Sequence, residues 1–440
     1  MASAAEQLAA NINWGSFSRA SELKKRIWFT LFALIVYRLG TYIPIPGIDQ
    51  TEFSRMFNQN AGGFFSFVNA WTGGAFGRMT IFALNVIPYI TASIVMQILS
   101  TISSNLGELK KEGEIGRKKI NQYTRYLTVA LTAMQASFIV SFLEANNMAI
   151  DPGWLFRIST IITLVGATIF LMWLGEQITA RGIGNGISLI IFAGIVANLP
   201  MALAQLLESG RTGVLSTFLI IGFLLLAILV VTFIVFMERA QRRLIVQYPK
   251  RQVGQKMYGG ESSHLPLKLN TSGVIPPIFA SALLMVPVTL AGFGAAESEF
   301  MRDILSYLGH GKPLYIALYV FLIVFFGFFY TAIVFNPEET ASNLKRNGGF
   351  IPGIRPGKNT AEYLDKVLTR LTVIGVAYLA GICILPEILI SQYSIPFYFG
   401  GTSLLIVVTV MMDTVAQIHS HLMAFQYEGL IKKAKLRGRR

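Results

Sequence analysis

Ten apolar stretches recur along this chain, and each is long enough to cross a lipid bilayer. About 20 mostly apolar residues are needed to span roughly 30 Å of hydrocarbon, and a water-soluble fold has no core that could bury ten such segments. The predicted spans are Ile27–Ile43, Met79–Thr101, Tyr126–Leu143, Ile158–Ile178, Ile187–Leu207, Val214–Met237, Gly273–Phe293, Leu314–Phe335, Leu371–Ile390 and Gly400–His419. The sequence therefore predicts an all-α integral membrane protein.

The composition supports the same class. Of 440 residues, 53% are hydrophobic and 14% are charged, whereas about 25% are charged in ordinary soluble domains. Residues 1–18 contain no short apolar run followed by a small-residue cleavage site, so we expect no cleaved signal peptide. The one cysteine, Cys383, excludes an intramolecular disulfide.

The positive charge of the chain is one-sided. With an even number of spans both termini lie on one face of the membrane, and the connections on that face hold 30 of the 37 Lys and Arg residues. The connections on the opposite face hold six. Because basic connections stay on the cytoplasmic side, we predict cytoplasmic termini for this multi-pass protein.

The spans also suggest how the chain is organised. Five spans in each half put the second half in the membrane upside down relative to the first, an arrangement that usually encloses a central path. The inversion rests on the span count, since the two halves show no residue-by-residue repeat. We predict a cytoplasmic segment 1–26, an N-terminal half 27–207, a C-terminal half 208–420 and a basic cytoplasmic tail 421–440. The long basic cytoplasmic connections 238–270 (the first arm) and 336–370 (the second arm) are predicted to dock partners.

Seven strings of sequence carry a resemblance to one protein family. They are RLGTYIPIPGID, LGELKKEGEIGRKKINQYTR, FLMWLGEQITARGIGNGIS, MERAQRRLIVQYPKRQ, HLPLKLNTSGVIPPIFA, FFYTAIVFNPEETASNLKRNGGFIPGIRPG and PFYFGGTSLLIVVTVMMD. With these strings in the family's order, the chain resembles the bacterial members of the SecY/Sec61-alpha family along nearly its whole length. The resemblance implies ten helices around a central pore in the bacterial inner (plasma) membrane. It also implies a channel that passes unfolded proteins and releases transmembrane segments sideways into lipid.

The resemblance further implies an apolar ring at the narrowest part of the pore. A constriction of apolar side chains between two aqueous funnels holds back ions by dewetting. Taken alone, apolar residues four apart on a helix are more typical of packing or lipid-facing positions. The implied ring residues are Val86, Ile90, Ile187, Ile191, Ile278 and Ile406.

Residues 62–74 form an apolar segment between two pairs of glycines. About 13 residues cannot span a bilayer, so we predict that the segment re-enters from the outer face. The resemblance implies that it plugs the pore and that the paired glycines act as hinges, while an interfacial aromatic loop is the alternative. The plug residues would be Gly63, Phe64, Phe65, Phe67, Val68, Trp71 and Gly73.

A lateral gate is implied between the second and third spans and the seventh and eighth. Proline removes a backbone hydrogen bond inside a helix, which would ease separation of the gate helices, although ordinary packing kinks explain the prolines equally well. The candidate gate residues are Asn85, Pro88, Gln97, Pro276 and Pro287.

The two arms carry the candidate docking residues. The resemblance implies that they dock the translocation ATPase SecA or the ribosome, whose RNA phosphates would suit their charge, while retention of topology or binding of anionic lipid is the alternative. The residues are Arg242, Arg243, Lys250, Arg251 and Arg355. The other implied partners are the small subunits SecE and SecG, signal sequences, unfolded polypeptide and membrane lipid.

Two further function classes remain open from the residues alone. A secondary transporter would place paired ionisable groups near the bilayer midplane, whereas Arg38, Glu176, Glu238, Glu387 and Asp413 nearly all lie close to predicted span ends. A membrane enzyme would need a polar catalytic cluster at the interface, and the sequence indicates none. We therefore expect a channel without enzymatic activity, small-molecule substrate, cofactor or metal.

Overall fold

The structure is a computed structural model. It describes residues 21–59, 69, 71–213, 216–248, 251–253, 256–258, 262–292, 312–393 and 401–437. Its helices are α1 (Ser21–Gly40), α2 (Gln50–Gln59), α3 (Ile87–Ile102), α4 (Ser104–Lys111), α5 (Glu114–Ala145), α6 (Trp154–Arg181), α7 (Gly186–Arg211), α8 (Thr217–Arg239), α9 (Ile275–Gly292), α10 (Pro313–Val334), α11 (Pro337–Arg346), α12 (Lys358–Tyr393) and α13 (Gly401–Arg437). Between α8 and α9 lie strands β1 (Gln241–Gln247), β2 (Arg251–Val253), β3 (Lys256–Tyr258) and β4 (Ser262–Lys268).

Each predicted span overlaps a helix, namely α1, α3, α5 to α10, α12 or α13. Within the described part of the chain, seven helices are long and apolar enough to cross a membrane, or eight if α3 and α4 count as one span bent by 103°. Helix α1 falls short because Lys24, Lys25 and Arg26 stand near its start and Arg38 in its last turn. Helix α9 is apolar over Ile275–Leu284.

The apolar surface of these helices faces outward in many places. Phe218 on α8 is 90% exposed, and Trp28 and Phe32 on α1 are also exposed. Large exposed apolar patches mark contact with a membrane or another protein. Helices that are this apolar and yet carry exposed aromatic side chains fit a lipid surround.

The described residues divide into two compact units. The first contains the residues up to Gln205 together with Gly292 and those from Ile406 onward. The second contains Leu206 to Ala291 and the described residues from there to Leu405.

In the first unit, α5 and α6 form a hairpin with a salt bridge between the two helices at each end. Arg125 on α5 pairs with Glu176 on α6 at 2.6 Å between Nη2 and Oε2. At the other end Arg157 pairs with Glu144, also at 2.6 Å. The carboxylate of Glu144 accepts hydrogen bonds from Arg157 Nε at 3.0 and 2.8 Å. These pairs fix the register of the two long helices.

The GIGNG string (residues 182–186) forms the tight turn between α6 and α7. Asn185 caps α7 because its Oδ1 accepts from the backbone N–H groups of Ile187 (3.2 Å) and Ser188 (3.4 Å). The N–H of Gly184 donates to Gln417 Oε1 on α13 at 2.8 Å. A Cβ at Gly186 would lie 1.9 Å from the carbonyl oxygen of Gly175. Only glycine therefore allows α6 and α7 to approach this closely.

In the second unit, α11 begins with a side-chain cap. Asn336 Oδ1 accepts from the N–H groups of Glu338 (3.1 Å) and Glu339 (3.3 Å). Elsewhere in this unit, Asn270 Nδ2 donates to Glu238 Oε1 at 2.7 Å. That bond ties the residues before α9 to the end of α8.

Candidate functional site

The first arm folds into strands, a feature that the sequence analysis missed. Strands β1 and β4 pair antiparallel, with Arg242 opposite Leu267 and Arg243 opposite Pro266. Alternate residues of β1 are buried, namely Leu244 and Val246. This alternation of burial is typical of a half-buried strand, although Leu244, Ile245 and Val246 are all apolar in the sequence. Strands β2 and β3 form a second, shorter ladder.

The two arms join each other. Gln247 at the end of β1 pairs with Phe350, and each N–H donates to the other residue's carbonyl oxygen, at 2.9 and 3.0 Å. One apolar core lies under both arms. Its buried members are Leu244, Leu267, Ile351, Leu364, Val367, Leu368 and Leu371. Residues from the first arm, the second arm and α12 therefore form one packed body, which we call the paired arms.

The paired arms present basic side chains to solvent. Arg242, Arg243 and Arg355 are all exposed. Gly353 (φ +83°) and Gly357 (φ +110°), on either side of Arg355, adopt left-handed backbone that favours glycine. Thr360 Oγ1 donates to the carbonyl oxygen of Arg355 at 2.9 Å. The arginine side chain thus projects from a backbone that is tied to the start of α12.

The side chains of the other two predicted docking residues lie outside the described part of the structure. Lys250 lies outside the described residues, and of Arg251 the structure describes only the backbone, which pairs with Tyr258 between β2 and β3. The docking role of all five residues stays a prediction.

Five of the six predicted ring residues lie in the first unit, and Ile278 lies in the second. Val86, Ile191 and Ile406 are buried, while Ile90, Ile187 and Ile278 are half-buried. Val86 and Ile90 follow each other by one helical turn, since the N–H of Ile90 donates to the carbonyl of Val86 at 3.1 Å. Apolar side chains shielded from solvent are compatible with a ring, which stays a prediction.

The gate prolines require a correction. Helix α3 begins at Ile87 and α9 at Ile275, so Pro88 and Pro276 stand in first turns. Proline is well tolerated there because its missing N–H would have no partner in the helix. These two prolines therefore interrupt no helix, and only Pro287, of the three gate prolines, falls in a helix interior.

The polar gate residues have different surroundings. Asn85 is buried with a left-handed backbone (φ +51°), and its Nδ2 donates to Tyr37 Oη at 3.2 Å and to the carbonyl of Trp71 at 3.3 Å. Gln97 lines a polar cavity of about 220 Å³ with Ser93, Lys110, Arg117 and other residues of α3 to α5. Asn85 thus holds backbone in place, whereas Gln97 borders open space.

Most of the predicted plug lies outside the described residues, including Gly63, Phe64, Phe65, Phe67 and Val68. Trp71 and Gly73 are described, and Trp71 is 3% exposed. Gly73 and Gly74 both have positive φ, of +68° and +84°. This end of the segment is packed against the first unit, and we call Asn69 and Trp71–Gly74 the anchor.

In the described part of the chain, no group of three or more His, Cys, Asp and Glu residues could hold a metal ion. The sites are thus made of apolar side chains, backbone-binding polar groups and exposed arginines.

Comparison with known proteins identifies the family. A family model described as SecY matches residues 80–415, which is more than half of the chain. The chain belongs to the SecY family. It is 55% identical over 429 residues to the protein translocase subunit SecY of Rickettsia conorii, an alignment that covers 96% of this chain and 99% of that relative.

Solved structures confirm the fold. A structure described as a protein-conducting channel matches with a TM-score of 0.66 at 21% identity, covering 91% of this chain and 92% of that one. Sec61 in a canine ribosome–channel complex from the endoplasmic reticulum matches with a TM-score of 0.63 at 20% identity, with the same coverage. The predicted all-α, multi-pass membrane fold is confirmed, and the ten predicted spans are consistent with this SecY fold.

Proposed function

We propose that this chain is the channel subunit of a protein translocase and forms the path by which unfolded polypeptides cross a membrane. The observation that carries the proposal is its 55% identity, over nearly the whole of both chains, to a translocase subunit. The fold of a protein-conducting channel agrees with that role. It is a channel and not an enzyme, so the energy for transport comes from its partners.

The ring residues fit such a path because all six are apolar and none of them is exposed. Flexible apolar side chains can close around a moving chain and exclude hydrated ions when the channel rests. We include in the proposal the predicted halves 27–207 and 208–420, with the re-entrant segment 62–74 as the plug.

Lateral release follows from the same chemistry. An apolar segment in the channel gains about 0.8 kcal/mol for each methylene that it buries in lipid. The predicted gate helices are α3 with α5 and α9 with α10. We propose that signal sequences and transmembrane segments leave between them.

The paired arms are the proposed docking surface. Exposed Arg242, Arg243 and Arg355 can pair with RNA phosphates, and such contacts weaken steeply as salt rises. The solved Sec61 relative was found with a ribosome. We propose that a ribosome and the ATPase SecA use this surface at different times, and that SecE and SecG complete the membrane complex.

We also propose a bacterial inner-membrane location with cytoplasmic termini, from the 30 to six distribution of Lys and Arg. Single cysteines at Ser342 and Thr212, both exposed, test this orientation. A membrane-impermeant thiol reagent applied outside intact cells should label the Thr212→Cys protein alone. Labelling of the Ser342→Cys protein alone would indicate the opposite orientation.

Reconstitution tests the function. Vesicles containing the complex should import a signal-bearing precursor when SecA and ATP are supplied, and the Arg355→Glu protein should import it at least several times more slowly while assembling normally. Normal import with Arg355→Glu would remove that residue from the docking surface. Import by neither protein, with uptake of a small solute instead, would favour a secondary transporter.

A further inference from the structure

The anchor is held from several sides by described residues of the first unit. Asn198 Nδ2 donates to the carbonyl of Asn69 at 3.3 Å, and Asn85 Nδ2 donates to the carbonyl of Trp71 at 3.3 Å. Gly194 on α7 allows this approach, because a Cβ there would lie 2.9 Å from the carbonyl oxygen of Trp71. The anchor thus packs directly against the backbone of α7.

Two arginines bind the glycine pair of the anchor. Arg38 Nη1 donates to the carbonyl of Gly73 at 2.7 Å, and Arg78 Nη2 donates to the same oxygen at 3.3 Å. Arg78 Nε also donates to the carbonyl of Gly74 at 3.0 Å. Hydrogen bonds from a charged donor are about twice as strong as neutral ones. The carbonyls of both glycines are therefore fixed by guanidinium groups.

The positions of these arginines are themselves restrained. Both guanidinium carbons lie over the ring of Tyr42, Arg38 at 5.0 Å from its centroid and Arg78 at 4.2 Å. Within the described residues, neither arginine forms a salt bridge. Their polar contacts are instead directed to the anchor backbone and to Tyr42, whose hydroxyl accepts a hydrogen bond from Arg38 Nη2 at 3.1 Å.

Close packing also opposes rotation at Gly73. A Cβ at Gly73 would lie 2.9 Å from both the Cα and the carbonyl oxygen of Gly194, and its φ of +68° favours glycine. A hinge needs backbone that can change its dihedral angles without losing contacts. Gly73 and Gly74 would lose three charged hydrogen bonds and a close contact with α7.

We propose that Arg38 and Arg78 are positioning residues that make Gly73–Gly74 the fixed end of the re-entrant segment and so stabilise the resting, sealed channel. This inference rests on the proposed channel function and replaces the expectation that this glycine pair is a hinge. If the re-entrant segment moves during transport, the backbone of the anchor then stays in contact with α7.

Ion current through resting channels tests the role of Arg38. Arg38→Ala should shift the equilibrium towards the open state by about tenfold to a hundredfold, the size expected for loss of a hydrogen bond from a charged group. Equal amounts of purified complex in planar bilayers should show a matching rise in resting current. Arg38→Lys should restore part of the seal, because its ammonium keeps the charge and can still donate a hydrogen bond to the carbonyl of Gly73. Arg55→Ala, which removes an exposed arginine, is the matched control.

A crosslink tests the fixed end independently of how well Arg38→Ala folds. Cysteines at Asn69 and Asn198, joined by a short thiol crosslinker in a Cys383→Ser background, should leave import of a precursor unchanged. Blocked import after crosslinking, or equal currents for Arg38→Ala and Arg55→Ala, would overturn the proposal. Failure of the unmodified complex to import any precursor would instead count against the proposed function.

Discussion

Replacing Leu244 by alanine should loosen both arms at once, although Leu244 belongs only to the first. Its side chain is 6% exposed and packs in the core shared with Ile351 and Leu364. Truncating a buried leucine to alanine costs about 2–5 kcal/mol. Since each 1.4 kcal/mol is a factor of ten, the paired arms should open at least about 30-fold more often.

The neighbouring Ile245 is a matched control. It loses the same number of carbon atoms on mutation to alanine, but its side chain points to the other face of β1 and is 49% exposed. Full burial of such a side chain contributes about 1.5–3 kcal/mol, so truncating a half-exposed one should cost about 1 kcal/mol. The two alanine variants therefore differ in burial and hardly in chemistry.

Hydrogen exchange measures the effect on the opposite arm. The amide of Phe350 donates to the carbonyl of Gln247 at 3.0 Å, so it exchanges with solvent when the arms separate. Exchange at Phe350, followed by mass spectrometry, should accelerate strongly in Leu244→Ala and little in Ile245→Ala. Equal exchange in the two variants would refute a shared core.

Two further predictions concern the first unit. Arg125 and Glu176 have side chains that are 50% and 36% exposed, so a double-mutant cycle on resistance to denaturant should give a coupling of at most about 1 kcal/mol; a much larger value would contradict the solvent screening. Gly186→Ala should abolish most of the folded protein, because its Cβ would collide with the carbonyl of Gly175, whereas Gly166→Ala has nothing within 4 Å and should be recovered normally. Equal yields of detergent-extracted protein from the two variants would contradict the close approach of α6 and α7.

The length of each apolar stretch was enough to predict the spans. It did not predict where the helix of the second span begins. The predicted span starts at Met79, whereas α3 starts at Ile87. The intervening residues are mostly apolar and mostly buried, yet Met79 and Asn85 have positive φ, of +44° and +51°. Burial alone does not separate a helix from a buried turn. Asn85 in this turn donates a hydrogen bond to the carbonyl of Trp71, a contact that the sequence pattern does not reveal.

The anchor could not be predicted for a related reason. The sequence marks Arg38 as a charged residue near a span end, and topology or lipid contact explains such a residue well. Its partner is the backbone carbonyl of Gly73. Every residue has such a carbonyl, whatever its side chain. A hydrogen bond to backbone therefore leaves no pattern in the partner's sequence. The resemblance drew attention to the glycines but suggested mobility, whereas the contacts indicate restraint.

The strands of the first arm could be predicted from the sequence, but the packing of these strands against the second arm could not. Leu244, Ile245 and Val246 form a short apolar run in which two of the three residues are β-branched, a composition typical of strands, yet nothing in one sequence states that Ile351 covers it. That packing changes how the basic residues act. Because Arg242 and Arg355 project from one packed body, a phosphate-rich partner can contact both, and removing either charge should reduce the salt dependence of binding by about one unit. Leu244→Ala removes no charge, so it should weaken binding through both arms while leaving more of that salt dependence in place.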